Sequence, residues 1–213
     1  MTRNVAAVLI TSTCPLCATP GPAPCDACLA GLPSAHDPPR VPGLDSLGVR
    51  FAYEGATRRL VAALKYRNAR RVVPRLAAEL AGVVTRRPDV VTWVPAAPVN
   101  RRRRGYDQSE VLARRLARRL GVPARRLLAR RGGAQTTATR EERLTGPILA
   151  VRRAVHGSVL VVDDVATTGT SLAAAAAGLR TAGARRVDAV VVAARPERTF
   201  GISKEGACGR NIS

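Results

Sequence analysis

The chain is poor in aromatic residues, in lysine and in acids. Phe, Tyr and Trp together make up 3% of its 213 residues. That scarcity argues against an aromatic-rich β-sandwich, and against the base-stacking platforms of single-strand nucleic-acid binders. Lysine occurs only at Lys65 and Lys204. No run approaches the eighteen or more apolar residues of a membrane-spanning helix. The apolar stretch Val5 to Ile10 is too short for a secretory signal, and the following Thr-Ser-Thr-Cys is a poor cleavage site. A cytoplasmic protein without a membrane span is expected. The sequence has no G-x-x-x-x-G-K-[ST], which excludes a P-loop NTPase, and no G-x-G-x-x-G after a strand, which leaves a dinucleotide fold unsupported. Internal repeats and low-complexity tracts are absent as well.

What is present is Ala, Val, Leu and Arg. Hydrophobic residues account for 46%, a globular composition. The length suits one α/β domain with a small appendage. Thirty-five basic residues against fifteen acidic ones give a net charge of +20, nearly all of it from arginine. A guanidinium is a rigid fork matched to phosphate oxygens, so phosphorylated metabolites or nucleic acid are natural partners. The plainer reading is that most of these arginines coat solvated helix faces.

Periodicity places the elements. Val49–Tyr53 reads as a strand, and Ala56–Tyr66 as a helix with Leu60, Val61 and Leu64 on one face. Pro74–Val84 is a helix with proline in its first turn, and Val90–Val94 a buried strand stopped by Pro95. Asp107–Gly121 is the clearest helix: Asp107 as cap, Glu110 completing a capping box, a Leu112, Leu116, Leu120 stripe, and Gly121 with Pro123 at the end. Gly132–Gly146 lacks a period and reads as a mobile loop. A strand at Val159–Val162, a helix at Ser171–Gly183 and a strand at Val187–Ala194 complete the chain. Strands alternating with helices predict a mostly parallel sheet flanked by helices.

The stretch VLVVDDVATTGTS (Val159–Ser171) carries the chemistry. In open α/β sheets, ligands bind at the carboxyl ends of the strands, where Asp163 and Asp164 stand. The turn after them feeds a helix N-terminus, whose N–H groups and dipole favour an anion. Thr167, Thr168, Thr170 and Ser171 add hydroxyls, and Gly169 lets the backbone curl close to a phosphate. Two carboxylates beside such a turn suit a phosphorylated sugar, accepting from ribose hydroxyls or holding Mg²⁺ through water. A simple helix cap is the rival reading.

Four of the five cysteines fall in the first thirty residues, as Cys14-x-x-Cys17 and Cys25-x-x-Cys28 with seven residues between the pairs. Two such knuckles supply the four thiolates of a tetrahedral structural Zn²⁺ site. Disulfides, the other reading, need an oxidising compartment. Cys208 stands outside this scheme.

The thirteen-residue stretch resembles the phosphoribosyl-pyrophosphate (PRPP) binding motif of type I phosphoribosyltransferases. Tyr53–Tyr66, Val94–Ser109 (VPAAPVNRRRRGYDQS), a Gln135-Thr136 stretch with acids after it, and the paired cysteines add a resemblance to the ComF family, over about residues 10 to 195. Here Thr137-Ala138 stands where that pattern has Gly-Leu, and Val94-Pro95-Ala96-Ala97-Pro98 lengthens its V-P-x-P. The resemblance implies a type I phosphoribosyltransferase fold with a small N-terminal segment that binds zinc through its four cysteines. It divides the chain into a zinc-ribbon-like segment (1–30), a Pro/Gly-rich linker (31–46), a phosphoribosyltransferase-like domain (47–196) and a tail (197–213). It implies that Asp163 and Asp164 contact the ribose and that Ala166, Thr167, Thr168, Gly169, Thr170 and Ser171 take the 5-phosphate. Pro95 and Ala96, with Arg101 and Arg104, would grip pyrophosphate, and Lys65 would face the active site. The activity implied is Mg²⁺-dependent transfer of phosphoribosyl from PRPP to a nitrogen acceptor. The alternatives are a nucleic-acid-handling protein tied to DNA uptake, with single-stranded DNA as partner, and a PRPP-sensing regulator. A homodimer is left open.

Overall fold

The computed structural model describes residues 12–35, 38–66, 71–130 and 148–195. The Val5–Ile10 stretch, the Gly132–Gly146 loop with Gln135 and Thr136, and the tail with Cys208 lie outside the described residues.

In chain order the elements are α1 (Asp26–Ala30), β1 (Ser46–Ala52), α2 (Gly55–Tyr66), α3 (Val73–Ala81), β2 (Val90–Trp93), α4 (Pro98–Arg104), α5 (Gln108–Leu120), β3 (Leu128–Arg130), β4 (Leu149–Val151), β5 (Ser158–Ala166), α6 (Thr170–Thr181) and β6 (Arg186–Ala194). Four strands form a wholly parallel sheet in the order β1-β6-β5-β2. Strands β3 and β4 pair antiparallel beside it.

Side chains alternate across a strand, so each central strand serves two cores. Leu160 and Val162 of β5 pack with Leu60, Val61 and Leu64 of α2, Leu76 and Leu80 of α3, and Leu112 and Leu116 of α5. Val159 and Val161 point the other way, against Leu172, Ala175, Ala176 and Leu179 of α6. The short alanines of α6 let that helix lie close to the sheet. The expected parallel sheet covered by helices on both faces is what the chain forms.

The local signals hold in detail with three corrections. The Asp107 carboxylate caps α5 by accepting from the Ser109 and Glu110 N–H groups, and Gly121 closes the helix at φ 66°. The capping box is only half made, because Glu110 turns to Arg114 (2.9 Å) instead of reaching back. Strand β5 does not stop before the aspartates but runs through both to Ala166, because β6 pairs alongside it to Ala194. The four-arginine run is a short helix, α4, with proline in its first turn and Gly105 left-handed at its end.

The cysteine segment is docked rather than tethered. Leu16, Ala23, Leu29 and Leu32 join the α2–α3–α5 core, and Asp26 pairs with Arg75 of α3.

Candidate active site

Strand lengths open the site. Strand β2 ends at Trp93, opposite Val162, so among the described residues Asp163 is the first of β5 to lack a strand partner on that side. Into this gap comes the first turn of α5. Ser109 Oγ donates to Asp163 Oδ1 at 3.0 Å, and Gln108 Nε2 donates to Asp164 Oδ2 at 2.9 Å. The Asp164 N–H also donates to Asp163 Oδ1 (2.8 Å). Lys65, from the last turn of α2, brings Nζ to 3.2 Å from Asp164 Oδ2.

The two acids therefore have different neighbours. Asp164 is buried and ion-paired with Lys65. Asp163 is half-buried, and its direct contacts are the Ser109 hydroxyl and the Asp164 N–H. Burial, followed by the adjacent Asp164 charge, raises its carboxyl to about 7, against the lowering pull of the Asp164 N–H, Ser109 and Lys65.

One buried acid fixes the facing turn. Asp107 Oδ2 accepts from the Ala96 N–H at 2.8 Å while Oδ1 caps α5. The turn after β2 is thereby tied to the helix that holds both β5 aspartates. Arg104 donates to Gln108 Oε1 at 3.0 Å, and Arg130 Nε to the Pro95 carbonyl at 2.8 Å. Arg101 is exposed on α4 and lines a cavity of about 490 Å³ with Pro95 and Ala96.

On the other side, Asp163 shares a small concavity of about 30 Å³ with Ala166, Thr167, Thr168, Gly169, Thr170 and Ser171. Thr167 and Thr168 are exposed, and the Thr168 and Thr170 hydroxyls lie 3.1 Å apart. Gly169 precedes α6 at φ 74°, and a Cβ there would sit 2.7 Å from Val41 Cγ2. Only glycine combines that left-handed backbone with that close approach. Gly169→Ala should therefore cost about 1–2 kcal/mol of stability and open the turn. The measurements are thermal unfolding and calorimetric titration with inorganic phosphate. Unchanged values for both would mean that the turn tolerates a side chain.

The four cysteines meet as the spacing predicts, with every Sγ within 4.8 Å of the others. Cys17 and Cys25 Sγ are 3.6 Å apart, near the ~3.8 Å edge of a tetrahedron built from Zn–S bonds of about 2.3 Å. Cys14 is buried, which raises its thiol. Backbone N–H groups of Cys25, Leu16 and Cys17 outweigh that and lower it to about 6. A thiolate held ready by backbone donors is the donor type zinc takes. The residues present fit the metal.

The structure thus gathers Asp163, Asp164, Lys65, the Ala166–Ser171 turn and the Pro95–Ala96 turn at one end of the sheet. Arg104 stands behind Gln108, and Arg101 on the rim. The sequence alone assigns no task to Gln108, Ser109, Asp107 as a tie to Ala96, or Arg130. The adjacent Asp107-Gln108-Ser109 is the available signal for three of them, since a cap places the next residues at the helix mouth. For Arg130 no local signal exists.

Residues 107–208, slightly less than half of the chain, match the family described as phosphoribosyl transferase domain. No curated protein matches. Among solved structures the chain is similar to glutamine phosphoribosylpyrophosphate amidotransferase from B. subtilis, complexed with ADP and GMP (24% identity, TM-score 0.43), over 62% of this chain and 30% of that one. It is also similar to purine phosphoribosyltransferase from Pyrococcus horikoshii (23%, TM-score 0.38; 58% and 74% of the two chains). A third is orotate phosphoribosyltransferase from Aeropyrum pernix (28%, TM-score 0.37; 65% and 64%). The chain spans less than a third of the length of the amidotransferase it matches. The family match supports a phosphoribosyltransferase-like protein.

Proposed function

We propose that the protein binds PRPP with Mg²⁺ and transfers its phosphoribosyl group to a nitrogen acceptor, releasing pyrophosphate, in the manner of ComF-type phosphoribosyltransferases. The observation that carries this reading is that Asp163 lines the same concavity as the Thr167–Ser171 turn. One ligand can then offer ribose hydroxyls to the acids and a 5-phosphate to the turn. The turn supplies hydroxyls and the N-terminal N–H groups of α6. Asp163 and Asp164 accept from the sugar, directly or through a hydrated Mg²⁺, which would supply positive charge to the departing pyrophosphate. The Pro95–Ala96 turn, Arg101 and Arg104 lie on the leaving-group side. Lys65 orients Asp164 through their ion pair. The rate enhancement is electrostatic: charge that develops on pyrophosphate meets fixed cations.

For the cysteine segment we infer structural Zn²⁺ held by Cys14, Cys17, Cys25 and Cys28. The domain division at residues 30, 46 and 196 belongs to the same reading. The net charge of +20 supports an electrostatic nucleic-acid partner as a second reading. It predicts DNA binding that weakens steeply with salt and is indifferent to Asp163.

The deciding experiment incubates the protein with PRPP, Mg²⁺ and a panel of nucleobases and ammonia, and follows pyrophosphate. Acceptor-dependent release supports the enzyme. Binding without release supports a PRPP sensor, and no binding at all removes the proposal.

The same titrations carry a pH signature. Asp163 in the folded protein holds its proton up to about 7, well above the ordinary carboxylate range. Between that range and about 7 the native state binds the extra proton, so stability falls as pH rises through this window and then levels. Ligand affinity should run the opposite way, rising through about 7 as the carboxylate forms. Asp163→Asn should flatten both slopes. Profiles that stay sloped in the variant would assign the titration to another group.

A further inference from the structure

The cavity of about 490 Å³ beside the Pro95–Ala96 turn has two cationic walls. Arg101 and Arg102 of α4 form one, and both are exposed. The other comes from the segment between α5 and the end of β3, which contributes Arg126 and Arg130. Asp107 lines the same cavity.

Arg130 differs from the rest. It is half-buried, and its Nε is fixed on the Pro95 carbonyl, in the turn whose next N–H is held by Asp107. Burial lowers its pKa, while the negative fields of Asp163 and Asp107 raise it. Its guanidinium is thus held beside the turn and within reach of the field of the β5 acids. Lys65 is already engaged by Asp164, and Arg104 by Gln108. Arg101 and Arg102 extend from the last turn of α4 into solvent, and ordering either costs side-chain entropy. A cation fixed before the ligand arrives gives more stabilisation to developing charge than one that must be ordered.

We infer that Arg130 is the fixed cation that receives the pyrophosphate end of the ligand, facing Arg101 across the cavity. The identity of the ligand rests on the PRPP reading above; the anion site rests on the cavity itself. The fork geometry fits two phosphate oxygens at once, which an ammonium cannot do.

The test is calorimetric titration of the full-length protein with inorganic pyrophosphate and Mg²⁺, and separately with PRPP and Mg²⁺. Arg130→Ala should weaken pyrophosphate binding by about 10- to 100-fold. Arg130→Lys should recover only part of that. Guanidinium ion added to the Ala variant should restore binding, which it would not do if the loss came from misfolding of the variant. Arg118→Ala, on the outer face of α5, should stay within about twofold of wild type. Wild-type affinity in a folded Arg130→Ala protein overturns the inference, as does a loss that guanidinium cannot relieve. If wild type binds PRPP while Arg130→Ala is unaffected, this inference alone fails. Should wild type bind pyrophosphate through Arg130 yet ignore PRPP, the PRPP reading alone fails. Binding of neither ligand removes both.

Discussion

Asp163→Asn should reduce affinity for PRPP with Mg²⁺ by about 100-fold, equivalent to about 2.7 kcal/mol, and leave the fold intact. Asparagine keeps the shape and the carbonyl oxygen that accepts from Ser109 Oγ and the Asp164 N–H. What it removes is the negative charge that accepts strongly from ribose hydroxyls or a hydrated cation. Because Asp163 is raised to about 7 by burial and by Asp164, removing its charge relieves repulsion in the empty protein. The variant should therefore be as stable as wild type, or more so, above pH 7. That opposition between function and stability marks a residue kept for a ligand. Asp164→Asn should behave differently, since it strips the partner from Lys65, which is largely buried. Losing one member of such a pair is expected to destabilise by about 3 kcal/mol. Thermal melts and calorimetry on the two variants separate these cases. Equal stability losses would mean that both acids are structural.

Removal of zinc is the second large effect. Four apolar side chains in and just after the cysteine segment, Leu16, Ala23, Leu29 and Leu32, pack into the core over α2 and α3. If metal holds that segment in shape, chelation or Cys14→Ser should release it at a cost of about 5 kcal/mol, at about 1.5 kcal/mol for each large buried side chain. For a chain of this size the melting temperature should fall by about 10–20 °C. Bound metal measured by mass spectrometry should drop from one equivalent to near none in the same variant. A zinc-free protein with an unchanged melt would show that the cluster contributes nothing to folding.

How much the sequence reveals follows from the range of the forces involved. Helix α5 is legible because a cap, a 3.6-residue stripe and a terminal glycine all act within a few residues of each other. The β5 acids are legible because a strand end, two like charges and a small-residue turn are contiguous. The end of β5 is not, because its length is set by β6, which follows only after the whole of α6 and pairs as far as Ala166. Helix α4 escapes periodicity although Pro98 and Gly105 bracket it, because four adjacent arginines leave it no apolar stripe. Gln108, Ser109 and Arg130 gain their meaning only when α5 and β3 are brought against β5 and Pro95. Those contacts span 54 to 56 residues for Ser109 and Gln108 and 35 for Arg130, and no periodicity encodes them.

The position of β6 has a consequence for synthesis. The strand made last among the described elements is inserted between β1, one of the earliest, and β5. Until residues 186–194 leave the ribosome, β1 lacks the strand it pairs with, and the apolar faces meant for Val190 and Val192 stay open. The nascent chain must therefore carry an unfinished sheet through most of its translation, a state in which exposed edges invite misassembly. A pause placed before Arg186 would lengthen that exposure, which ends only when Ala194 has cleared the exit tunnel and β6 can pair with β1 and β5.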